Sequence, residues 1–105
     1  MEQSNATTAH LIGKRVLVRT RISGVSIGIA RHIDPATCTI VLDDAVRIWS
    51  WSDAFTVSEI ATTGAECRLA THGDGVVISD EGFELHELAD TAWTNIEERA
   101  TYGAQ

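Results

Sequence analysis

No stretch of this chain approaches the roughly 20 apolar residues that a membrane helix requires. The longest candidate, CTIVLDDAV at 38–46, is interrupted by Asp43 and Asp44, so no membrane partner is expected. Cysteine is scarce. Cys38 and Cys67 stand alone, with no C-x-x-C and no histidine at ligand spacing, which argues for two reduced, packed thiols rather than a disulfide or a zinc site. The four histidines, His10, His32, His72 and His86, are scattered. A metal centre needs several convergent donors, so neither a metal nor a cofactor is expected. Catalytic signatures are equally thin. The serines lack a G-x-S-x-G elbow. The neighbouring acids Asp43 with Asp44, Asp80 with Glu81, and Glu97 with Glu98 point to opposite faces of a strand or about 100° apart on a helix. The glycines of SGVSIG make G-x-x-x-G, which is neither a dinucleotide fingerprint nor a Walker loop. The expectation is a protein that is not an enzyme. Its first ten residues, MEQSNATTAH, carry no basic and no apolar segment of a secretory signal, so a cytoplasmic location is expected.

Positive charge is short in one half only. The formal net charge is −7 over 105 residues. Residues 1–52 hold six bases against four acids, whereas residues 53–105 hold two bases against eleven acids. The second half repels a long polyanion, so no long nucleic acid is expected as a partner. A few arginines of the first half can still hold a small anion.

What is present reads as one small β-rich domain over residues 13–105, preceded by a flexible N-terminal arm over 1–12. GKRVLVRTR alternates, with Val16 and Val18 on one face and Arg15, Leu17, Arg19 and Arg21 on the other, which is the period of a half-buried strand. SGVSIGIARHI continues in β-branched residues, with Gly24 and Gly28 at turn or close-approach positions. DPAT at 34–37 is a turn, CTIVLDDA the returning strand, and a second short turn is expected at Asp43 and Asp44. Thr56 followed by Glu59 forms a capping-box pair, and Gly64 a stop, for a two-turn helix over Val57–Thr63. Phe55, Val57 and Ile60 are expected to face the sheet. ECRL, VVISD and FELHEL give further short strands, with THGDG a loop. DTAWTNIEERA gives a closing helix capped by Asp90 or Thr91. The fold class expected is α+β: a small antiparallel sheet or partly closed barrel, one short helix and a C-terminal helix.

The densest local signal is RIWSW at 47–51. In a regular strand Arg47, Trp49 and Trp51 share one face and Ile48 and Ser50 the other. With Ile48 in the core, the first three form an outer ridge that meets a second subunit or stacks on a flat ligand. With both tryptophans in the core, Arg47 snorkels outward instead. Arg19 and Arg21 lie just before the glycine turn and offer planar donor forks to phosphate.

The string VRTRISGVSIG, then DDAVRIWSWSDAFTVSEIATTG, an ECRL strand and ELADTAWTNIE resemble a family of small phage-encoded proteins. Their stretches read V-R-T-Y-S-A-G-V-x-x-G and A-R-R-[LI]-W-Y-W-x-G-A, and the family is identified with the Thoeris anti-defence sponges. The resemblance covers residues 13–98. It implies a non-catalytic, homo-oligomeric binder that sequesters a small nucleotide-derived immune signal, such as a cyclic ADP-ribose isomer or a cyclic oligonucleotide, in the host cytoplasm. Carried over residue by residue, it assigns Arg19, Thr20, Gly24, Val25 and Gly28 to the first motif, and Arg47, Trp49, Trp51 and Ala54 to the second. Together with Arg21, the ligand-binding set expected is Arg19, Arg21, Gly24, Val25, Gly28, Arg47, Trp49 and Trp51. The chain departs from the motif at Arg21, Ile22, Val46 and Ser50. A phage accessory or structural protein whose tryptophan ridge is only an oligomer interface is the alternative.

Overall fold

The alternating run at the start becomes the first strand of a sheet in the computed structural model, which describes residues 9–103. The strands are β1 (Arg15–Thr20), β2 (Gly24–Asp34), β3 (Thr39–Ser52), β4 (Glu66–Gly73), β5 (Val76–Ser79), β6 (Glu84–Glu87) and β7 (Thr101–Tyr102). The helices are α1 (Val57–Thr63) and α2 (Asp90–Arg99). The sheet runs β6-β1-β2-β3-β4-β7, with β5 also paired to β3. All neighbours are antiparallel except β4 with β7. The protein is therefore α+β, and of the two sheet forms expected it takes the open one rather than the barrel.

Both faces of this sheet are buried. Leu17, Ile27, Val46, Ile48 and Leu69 lie under the helices, against Val57, Ile60, Ala92 and Ile96. Val16, Val18, Ala30, Ile40, Leu42 and Ala45 form the opposite cluster, closed by Leu11 and Ile78 with Phe83 and Leu85 at its margin. The half-buried first strand expected from its alternation is thus corrected: Leu17 is as fully buried as Val16. Leu11 also bears on the N-terminal arm. Residues 1–8 of the expected arm lie outside the described residues, but at its other end Leu11 joins the core and the Lys14 N–H donates to its carbonyl at 3.0 Å.

Local chemistry accounts for the elements that formed as expected. The Thr56 Oγ1 accepts the Glu59 N–H at 3.2 Å, and the Glu59 carboxylate reaches back to the Phe55 N–H at 2.9 Å, so α1 starts where the capping box places it. The Gly64 N–H closes the helix on the Ile60 carbonyl at 2.9 Å. The DPAT turn is held by the Asp34 carboxylate, which accepts the Ala36 N–H at 3.1 Å.

Four expectations fail here for physical reasons. Phe55 does not face the sheet; it is 97% exposed, because it precedes the helix cap rather than lying on the helix's buried stripe. Neither Asp90 nor Thr91 caps α2; the cap position is Ala89, with no side-chain hydrogen bond. THGDG is not wholly a loop, since β4 continues through Gly73. The turn expected at Asp43 and Asp44 is a bulge within one continuous strand. Ile27 pairs Val46 and Ile29 pairs Asp43, so β3 carries one extra residue there, and Asp44 takes a left-handed φ of 50°.

Candidate functional site

Cross-strand neighbours point to the same face, and one inserted residue reverses the phase of everything beyond it. This decides the fate of RIWSW. Arg47 pairs Ser26 and Ala70, while Ile48 pairs Val25 and Leu69 under the helices. On β4 the partner after Leu69 is Arg68, which pairs Ser50, leaving Trp49 as the extra residue of a second bulge. Trp51 then pairs Cys67 and emerges on the helix side, the face of Ile48. Arg47, Trp49 and Trp51 therefore do not form one ridge; the bulge separates Trp51 from Arg47. Neither tryptophan is interior, with Trp49 58% and Trp51 36% exposed. The Trp51 indole N–H donates to the Ala54 carbonyl at 3.2 Å, and its ring lines a cavity of about 260 Å³ with Ser50, Ser52, Glu66, Cys67, Arg68 and Thr101. Burial pushes the Cys67 thiol up to about 11, so at neutral pH it stays protonated and inert.

Arg47 has a separate setting. Its Nε–H donates to His72 Nε2 at 3.1 Å. His72 is itself the extra residue of β4, between Thr71 paired to Val46 and Gly73 paired to Ala45. Burial, and then the Arg47 charge, hold the imidazole below its ordinary pKa, which keeps Nε2 available as an acceptor.

The arginines of the first strand end in a different place. Arg19, Thr20 and Arg21 line a cleft of about 350 Å³ with Gly82, Phe83 and Glu84. The pairing of Arg19 with Glu84 and the Asp80 carboxylate bring these sequence-distant pieces together. The Asp80 carboxylate accepts the Ile22 N–H at 2.9 Å and the Glu81 N–H at 2.7 Å. These hydrogen bonds, the Ile22 one foremost, hold its carboxyl below the usual range. Within the turn, Thr20 Oγ1 accepts the Ser23 N–H at 2.8 Å. Gly24 closes it with a left-handed φ of 78°, which a side chain would strain. Arg21 pairs with Glu81 at 3.6 Å, both side chains well exposed, an ion pair weak enough for a ligand to displace.

The remaining two expected residues are structural. Val25 is buried in the helix-side core. A Cβ on Gly28 would stand 2.9 Å from the Leu42 Cβ and 3.0 Å from the Asp43 carbonyl oxygen, so its role is the close approach of β2 to β3. The structure thus brings together Arg19 and Arg21 beside the Gly24 turn. It places Arg47 on the sheet face opposite Trp51. Phe83 is the aromatic that sequence reasoning missed. The signal available was its position opening FELHEL, two residues ahead of Leu85, which pairs Val18.

Among the described residues no three His, Cys, Asp or Glu side chains converge as a metal cluster, and no helix is long and apolar enough to cross a membrane. No curated protein matches the chain. Residues 13–96, from the glycine before β1 to the last buried residue of α2, match the model of the Domain of unknown function (DUF6948), and the chain belongs to that family.

Proposed function

We propose that this protein is a non-catalytic binder that sequesters a small nucleotide-derived signal, such as a cyclic ADP-ribose isomer or cyclic oligonucleotide, in the cytoplasm of a phage-infected cell. The observation that carries the reading is the cleft of about 350 Å³ that Arg19 and Arg21 line at the rim of the sheet, with Phe83 reaching it from the opposite face, that of Val18 and Leu85. That volume lies within the range of small-molecule pockets. Two guanidinium forks supply charge-assisted donors for a diphosphate. The resemblance of RTRISGVSIG and RIWSW to the sponge motifs supports the same reading. Arg47 and Trp49 are not residues of this cleft, so they join the ligand only from a second copy, as a homo-oligomer allows.

The exposure of Trp49 and of Phe55 at 97% favours a second reading, an accessory protein whose aromatics serve only as an oligomer interface. One experiment separates the two and also tests for catalysis. The protein is incubated with a panel of cyclic ADP-ribose isomers and cyclic di- and trinucleotides, separated from free ligand, and heated to release what it holds. Intact ligand is expected, with Arg19→Ala or Arg21→Ala weakening capture about 10- to 100-fold for a lost charge-assisted hydrogen bond. Recovery of altered ligand would mean an enzyme. Capture of none of the panel, with oligomer formation intact, would leave only the interface.

A further inference from the structure

β5 and β6 each have a strand neighbour on one edge only, and their open edges are guarded differently. β6 carries Glu84, His86 and Glu87, ionisable side chains that discourage another strand from adding to it. β5 reads VVIS, with no charge and no proline, and Val77 on it is 61% exposed. The ladder decides which backbone groups this edge offers. The Asp80 N–H donates to the Cys38 carbonyl at 3.2 Å, one step beyond the pair of Thr39 with Ser79. Bonded and non-bonded pairs alternate along an antiparallel ladder. Val76 and Ile78 therefore turn their N–H and C=O groups to β3, and Val77 and Ser79 turn theirs outward. Among the described residues nothing takes those outward groups. The amides on either side are engaged: the Gly75 N–H donates to Asp43 at 2.9 Å and the Glu81 N–H to Asp80 at 2.7 Å.

We propose that β5 is a dimerisation edge, pairing antiparallel with β5 of a second copy about a two-fold axis that passes between the two Ile78 residues. The free groups set this register. Centred on Ile78, Val77 of each copy faces Ser79 of the other, and the two N–H and two C=O groups that each strand turns outward are all bonded. A register centred on Val77 needs the Gly75 amide and one centred on Ser79 the Glu81 amide, both already engaged. In the Ile78 register Asp80 faces Val76, so no carboxylate meets another within the paired segment. That matters in a chain of net charge −7. Val77 lies on the sheet face of Val41, and the two Val77 side chains approach diagonally across the axis, covering apolar surface now in water. A second copy is the occupant these features fit: its strand offers the same free groups in the same register, and the contact closes on itself instead of propagating. The inference stands independently of the nucleotide reading.

The test follows the full chain by sedimentation from about 10 μM to about 1 mM, and its nitrogen-15-labelled amides by hydrogen exchange over the same range. So short an edge should give a weak dimer, with a Kd on the order of 0.1 mM, so the mass should rise from that of one chain toward twice that value. Over the same range the Val77 and Ser79 amides should exchange several-fold more slowly, while those of Val76 and Ile78, already bonded to β3, change little. Val77→Lys sets two ammonium groups across the axis and should weaken the dimer at least about tenfold, whereas Val77→Thr, still β-branched and uncharged, should retain it. Because residue 77 is exposed, both variants should fold, which their far-ultraviolet circular dichroism checks. Arg19→Ala should leave the dimer unchanged, which keeps this edge distinct from the proposed nucleotide cleft. A protein that stays monomeric at about 1 mM would overturn the proposal. So would a dimer whose Val77 and Ser79 amides exchange as fast as in the monomer, since its interface would lie elsewhere, for instance at Trp49 and Phe55.

Discussion

Gly28 shows how little room a single position leaves. A methyl group there meets Leu42, Asp43 and Ala45 at 2.9–3.2 Å, two of the three contacts being backbone atoms that cannot swing aside. Gly28→Ala should cost about 1–3 kcal/mol, the usual penalty of overpacking, read as a lower midpoint in urea with an unchanged slope. His72 carries the pH dependence. Its imidazole titrates below the ordinary value because folding favours the neutral form. The stability this gives is present above about pH 6.5, the unfolded value, and is lost as pH falls through the folded value. The midpoint should therefore drop on acidification from pH 7 to 5, and His72→Gln should flatten that drop. Asp43 and Asp80, both held low, act in a separate and more acid window below their ordinary 3.8.

Elements differ in how far their own residues specify them. α1 is local: its cap, its first-turn acid and its stop all fall within ten residues, and the sequence places it at Val57–Thr63 as found. Thr56→Ala should cost about 1 kcal/mol, the usual value of an N-cap hydroxyl, with a matching loss of thermal midpoint and no change in ligand capture. β3 is the opposite case. Its residues were legible as two strands with a turn at Asp43 and Asp44; that they form one strand of fourteen residues, and which way they face, was not, because its bulges arise from register with β2 and β4 rather than from any residue within it. In sequence Asp44 reads as a turn residue and Trp49 as an ordinary strand residue. A phase count through them puts Trp51 on the wrong face, and no periodicity argument within β3 could have found the slip.

At the scale of the whole molecule, the sheet-plus-two-helices plan followed from alternation, turn residues and helical spacing. The burial of both sheet faces did not, since it depends on Leu11, Ile78 and Leu85 arriving from remote parts of the chain. The candidate cleft was half legible for the same reason: Arg19 and Arg21 announce themselves as bases near a strand end, whereas Phe83 reaches the cleft through the pairing of β6 with β1 and the Asp80 clip. The long middle strand has one further consequence. β3 is bordered by β2 on one edge and by β5 and then β4 on the other, so its central amides reach solvent only when one of those ladders parts. Hydrogen exchange along β3 accordingly reports the opening of the molecule as a whole, and exchange in β6 or β7, at the two ends of the sheet, the fraying that precedes it.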